Sequence, residues 1–170
     1  MSEANESSDE VFFKWIPDYS LNIKTIDNQH KELVNILNRL FIAASMREGK
    51  EVIGGMLEAL TSYTKTHFSL EERLMEQANY ADLDAHKEEH RKLIEQLEQL
   101  CKQHQLEEKP IYFEMLRFLK TWLKDHIRGV DAKYSLALQK AGFSFATWEL
   151  EAAAEFAVMV EKTGRWWRIW

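Results

Sequence analysis

The chain has a single cysteine, Cys101, so neither a disulfide framework nor a thiolate metal cluster can be built from it. Two prolines and six glycines in 170 residues leave few interrupters of long helices. No apolar run reaches the ~18 residues that span a bilayer, and the N-terminal MSEANESSDE is acidic and polar, unlike a secretory leader. A basic face is missing too. The net charge of −6 argues against phosphate-backbone binding and so against nucleic acid as a partner. With 45% hydrophobic and 29% charged residues, the expectation is a soluble, cytoplasmic protein with one domain around one core.

What is present is helical periodicity. Residues 1–10 are polar and expected to be disordered, and the aromatic-rich residues 11–23, with Pro17, read as an ordered non-helical arm. A first helix spans residues 24–47, with Ile26, Leu33, Val34, Leu37 and Leu40 at helical spacing and Gly49 marking the break. Further helices are predicted over 50–77, 83–103 and 110–141, with Pro110 in a first turn and Gly142 just past a C-terminus. Short connections make this an all-α, up-down-up-down antiparallel four-helix bundle over residues 11–142. Residues 143–170 form an extension. Its FATWELEAAAEFAVMVEK reads as a fifth helix burying Trp148, Phe156 and Met159 on the bundle or on a second subunit. The tail RWWRIW that follows suits a protein or membrane-surface contact.

Polar residues of one kind recur on the inner faces. His67 with Glu71, and His86 with His90, are spaced i,i+4, which puts each pair on one side of a helix. The turn between them brings the two pairs together. His30 shares a face with Leu33, Val34 and Leu37, and the fourth helix offers His126 and Asp131. Five histidines and two carboxylates without thiolate suit iron, manganese or zinc. Seven ligands are too many for one tetrahedral ion and too few for two octahedra. Two metals bridged by carboxylates and a solvent-derived oxygen, with one position vacant, fit the count. Because five residues of α-helix rotate by ~140°, His126 and Asp131 share a face only across a π-type irregularity within 126–131, which Gly129 could ease. His104 stands about 21 Å from His90 along the helix axis and is left out of the site; the C-terminal helix dipole accounts for it. Cys101 reads as a small packing residue.

These residues carry a family resemblance. W-x-x-D-Y-S at Trp15, I-D-x-Q-H ending at His30, H-F-x-x-E-E from His67, H-x-x-x-H from His86 and W-L-x-x-H-I-x-x-x-D from Trp122 to Asp131 together resemble the hemerythrins, and most of all their stand-alone bacterial members, the bacteriohemerythrins. The resemblance spans residues 13–140. It implies two non-heme iron ions joined by an oxo or hydroxo group. His86, His90 and His126 would hold a coordinatively filled iron, His30 and His67 an open one, with Glu71 and Asp131 bridging. It also implies O₂ as the ligand of the open iron. Leu33, Phe68, Trp122 and Leu123, flanking these positions, would line an apolar O₂ pocket, and Asp27 would support His30 or cap its helix.

Reversible O₂ binding for transport, storage or supply is thus the leading functional expectation, making the chain an oxygen-binding protein rather than an enzyme. The alternatives are an O₂ or redox sensor acting on a partner, and a di-iron redox or iron-handling protein. No signalling domain lies within these residues. No Glu stands three residues before a histidine, as the Glu-x-x-His pairs of ferritin-like di-iron proteins require.

Overall fold

The computed structural model describes residues 11–106 and 112–162. The expected disorder of residues 1–10, the helix start at Pro110, the tail RWWRIW and the burial of the Phe156 and Met159 side chains lie outside what it describes. The described residues form six α-helices: α1 (Lys24–Ser45), α2 (Lys50–Gln77), α3 (Leu83–Leu106), α4 (Tyr112–Asp125), α5 (Ala132–Lys140) and α6 (Phe145–Lys162). A π-helical turn, His126–Asp131, joins α4 to α5. With that turn, α4 and α5 form the fourth member of the bundle. α2 packs against α1 and α3, and α1 packs against α4. Their inward leucines and isoleucines, such as Ile26, Leu40, Ile53, Leu74 and Leu116, are wholly buried. No helix among the described residues is long and apolar enough to cross a membrane.

The helix ends explain why the connections are so short. Arg47, Asn79 and Gly142 adopt left-handed backbone, with φ of 57°, 51° and 70°. Each is followed by a residue whose N–H reaches back to the last turn: Glu48 to Ala43, Tyr80 to Met75 and Phe143 to Leu138. That pattern satisfies carbonyls the helix leaves open and reverses the chain at once. Gly142 plays the part its sequence position predicted. Gly49 does not. The break before α2 is made by Arg47, and Gly49, in extended backbone, is the residue from which α2 starts.

The arm over residues 11–23 is irregular apart from a 3₁₀ turn at Pro17–Tyr19. Asp27, on the first turn of α1, ties it down: its carboxylate accepts from Ser20 Oγ at 2.6 Å and from the Leu21 N–H at 2.8 Å. Phe13 and Ile23 are thereby held in the core. Asp27→Ala removes two charge-assisted bonds and should cost about 2 kcal/mol, read as a fall of about 5 °C in melting temperature by circular dichroism. Beyond the bundle, α6 lies against α2 and α1, burying Trp148 and Ala152 while Leu150 faces out.

Candidate metal centre

Each bundle helix delivers its part to one level of the core. α1 supplies His30, α2 His67 and Glu71, α3 His86 and His90, and the π turn His126 and Asp131. The extra residue in that turn brings side chains five apart onto one side, so Asp131 faces the same cavity as His126. None of the seven side chains is more than 4% exposed. Their ligating atoms fall into two groups. Those of Glu71, His86, His90, His126 and Asp131 lie within 4.8 Å of one another, as do those of His30, His67 and Glu71.

The two carboxylates span these groups. Asp131 Oδ1 is 3.1 Å from His126 Nε2 and 3.4 Å from His86 Nε2, while Oδ2 is 3.4 Å from His30 Nε2. Glu71 Oε2 lies 3.4 Å from His90 Nε2 and 3.5 Å from His67 Nε2. Behind the rings stand acceptors. The Gln29 side-chain carbonyl accepts from His67 Nδ1 at 2.7 Å, and the Glu72 carboxylate from His90 Nδ1 at 2.8 Å. A ring that donates through Nδ1 presents the Nε2 lone pair inward, the form in which imidazole ligates metals. Tyr134, itself fully buried, donates its hydroxyl to Glu71 Oε1 at 2.7 Å.

What remains facing inward has no hydrogen-bond partner: Nε2 of His30, His67 and His126, Glu71 Oε2, and both oxygens of Asp131. His86 Nε2 and His90 Nε2 point at each other 2.9 Å apart. Buried unpartnered polar atoms each cost about 1–3 kcal/mol, and here they converge. Nitrogen and oxygen lone pairs without any thiolate fit iron, manganese or zinc. Charge agrees with that fit. Burial holds the His67 imidazole down at about 3, and so neutral. Burial and the nearby Asp131 would raise Glu71, but the surrounding imidazoles outweigh them and bring it to about 2. Asp131 is likewise held well below the carboxylate range, burial being overcome by His126 and His30. His90 goes the other way: burial opposes it, but the Glu71 carboxylate close by and the hydrogen bond to Glu72 lift it to about 9. A cation bound there would displace that proton.

Of the four expected pocket residues, Leu33, Trp122 and Leu123 border a small cavity of about 10 Å³, completed by Leu37, Leu60, Thr64, Leu97 and Leu119. Thr64 commits its hydroxyl to the Leu60 carbonyl at 2.8 Å, so the lining is apolar in effect. Phe68 sits elsewhere. It lies flat on His90, with ring centroids 3.5 Å apart and planes inclined by 2°. Trp122, half-buried, stacks on His126 at 4.8 Å, and its outer side lines a groove between α3 and α4.

The spacing that marks the ligands does not mark Gln29, Glu72 and Tyr134. The first two stand inside the quoted motifs, beside His30 and Glu71, and Tyr134 follows Asp131 by one helical turn. Each is a polar group one step off a ligand face, which is the available signal. Asp27 anchors the arm rather than touching a histidine. His104 is explained by a contact and not by the helix dipole alone: it is buried, and its Nε2 donates to the Lys50 carbonyl at 2.8 Å, clasping the end of α3 to the start of α2. Cys101 is half-buried beside Thr61, and burial pushes its thiol up, as a packing role requires. Tyr134→Phe leaves Glu71 Oε1 without its donor and should cost about 1–3 kcal/mol, measurable by denaturant unfolding as a lower midpoint with unchanged slope.

Residues 21–136 match the family model described as the hemerythrin HHE cation binding domain. A bacteriohemerythrin of Pseudomonas aeruginosa (strain LESB58) is 38% identical over 122 residues, which cover 71% of this chain and 77% of that protein. One of Stenotrophomonas maltophilia (strain R551-3) is 34% identical over 121 residues, 71% of this chain and 78% of that protein. A crystal structure of wild-type hemerythrin superposes with a TM-score of 0.69 at 34% identity, covering 75% of this chain and 98% of that one.

Proposed function

The chain belongs to the hemerythrin family, and from that premise we propose that it binds O₂ reversibly at a non-heme di-iron centre, for oxygen transport, storage or supply. In this reading His86, His90 and His126 would hold one iron and His30 and His67 the other, Glu71 and Asp131 would serve both, and an oxo or hydroxo group would complete the centre. When bound, the ferrous pair supplies the electrons on which O₂ binding depends. Everything else falls to the side chains. The bundle of residues 11–142 carries all seven of these side chains, and residues 143–170 are an extension to it.

One observation carries the proposal: two groups of buried ligand atoms, most of them without a hydrogen-bond partner, share Glu71, with Asp131 reaching both sides. The chain's own work is to hold the imidazoles in their ligating tautomer, through Gln29 and Glu72, and to keep water out. Leu33, Leu123 and the half-buried Trp122 supply apolar surface for the latter. Excluding water and protons favours release of O₂ intact over oxidation of the metal. The histidine-rich donor set, without a Glu-x-x-His pair, favours a carrier over an oxidase. A cytoplasmic setting fits the one unpaired thiol.

His67→Ala tests the assignment. It should keep metal at the His86, His90 and His126 side and lose the visible absorption band that O₂ elicits in the wild-type iron-loaded protein. A variant that still shows the band, reversibly, would rule out His67 as a ligand of the O₂-binding iron.

A further inference from the structure

The two halves of the centre are built unequally, and we infer that they fill in order. A divalent cation occupies the position of His86, His90 and His126 first, and the position of His30 and His67 second and less tightly. This rests on the reading above that the centre holds two metal ions, and goes beyond it in ranking them.

Donor number is the first ground. Five residues bring ligating atoms within 4.8 Å of one another on the first side, and three on the second, with Glu71 counted in both. The carboxylates lean the same way. Asp131 Oδ1 is within 3.4 Å of two imidazole nitrogens, while Oδ2 serves His30 alone. The backing of the rings is the third ground. His90 donates to a carboxylate, Glu72, at 2.8 Å, whereas His67 donates to an uncharged amide, Gln29, at 2.7 Å. His30 has no hydrogen-bond partner at Nδ1. An anionic acceptor draws the Nδ1 proton toward itself and makes the far nitrogen a better donor to metal. Charge-assisted bonds of this kind are about twice as strong as neutral ones. Glu72 therefore strengthens the first position, and neither ring of the second has a hydrogen bond from Nδ1 to a carboxylate. At limiting metal the chain is a one-metal protein with its second position open to exchange.

The test is a titration of the metal-free full chain with Co²⁺, followed by visible d–d absorption, with bound metal counted by equilibrium dialysis. Two steps of one equivalent each are expected, separated at least about tenfold in dissociation constant. Glu72 is about one-quarter exposed, so Glu72→Gln is a mild change. It should weaken the first step about 10- to 100-fold and bring the two steps together. Gln29→Ala should weaken the second step alone. Unchanged far-ultraviolet circular dichroism shows that both variants are folded. Two equivalents taken up in one unresolved step by the wild type, or a Glu72→Gln effect confined to the second step, would overturn the order while leaving a two-metal centre. Saturation at one equivalent would instead overturn the two-metal reading, and the ranking with it.

Discussion

Removing the metal should lower the melting temperature of the protein by about 10 °C. Without a cation, five of the seven buried side chains keep inward-facing polar atoms without a hydrogen-bond partner, and two carboxylates kept anionic lie among them. A ligand that binds only the folded state stabilises it by RT ln(1 + [L]/Kd), about 4 kcal/mol at a thousand times Kd. For a chain of this size 1 kcal/mol corresponds to about 2–4 °C. The site draws on all four members of the bundle, so the loss is global rather than local. Scanning calorimetry before and after chelation measures it. Restoring iron should restore the melting temperature, and an unchanged value on chelation would mean that the cluster does not hold metal.

Phe68→Ala should be the most damaging single substitution of a residue that is not itself a ligand. Phe68 is 3% exposed and touches the site from an unexpected side, lying flat on His90 and near the rings of His67 and His126. Truncating a buried phenylalanine costs about 3–5 kcal/mol, or a fall of roughly 10 °C here. It also opens a void beside His90 that admits water to the metal. The iron-loaded variant should therefore lose its O₂-dependent absorption faster over repeated oxygen cycles. Phe68→Leu separates the two effects, since it refills most of the volume without the flat face. Stability should return largely, and His90 should remain less well fixed. If Phe68→Leu holds oxygen as long as the wild type, stacking on His90 has no part in protecting the site.

Much of this architecture could be read from residue spacing, and the reasons are physical. Helix α2 runs over residues 50–77 as its apolar repeat requires, and its ligands fall where i,i+4 spacing puts them. The π turn could be read because His126 and Asp131 are five apart and both had to face inward, and no regular helix does that. Other features leave no periodic trace. The left-handed turns at Arg47 and Asn79 are set by hydrogen bonds to the preceding helix, formed only once the chain reverses. Phe68 follows His67 in sequence but points ~100° around the helix from it, and only the placement of α3 decides that it covers His90. The contacts of Gln29, Glu72 and Tyr134 depend on which way each imidazole or carboxylate turns, a choice made in three dimensions.

The most direct test is to load the metal-free protein with iron(II) under argon, count the metal, admit O₂ and then remove it. The account predicts two irons per chain and a visible band that appears with O₂, disappears on degassing and returns over several cycles. Prompt oxidation on the first exposure, with no recovery on degassing, would contradict it.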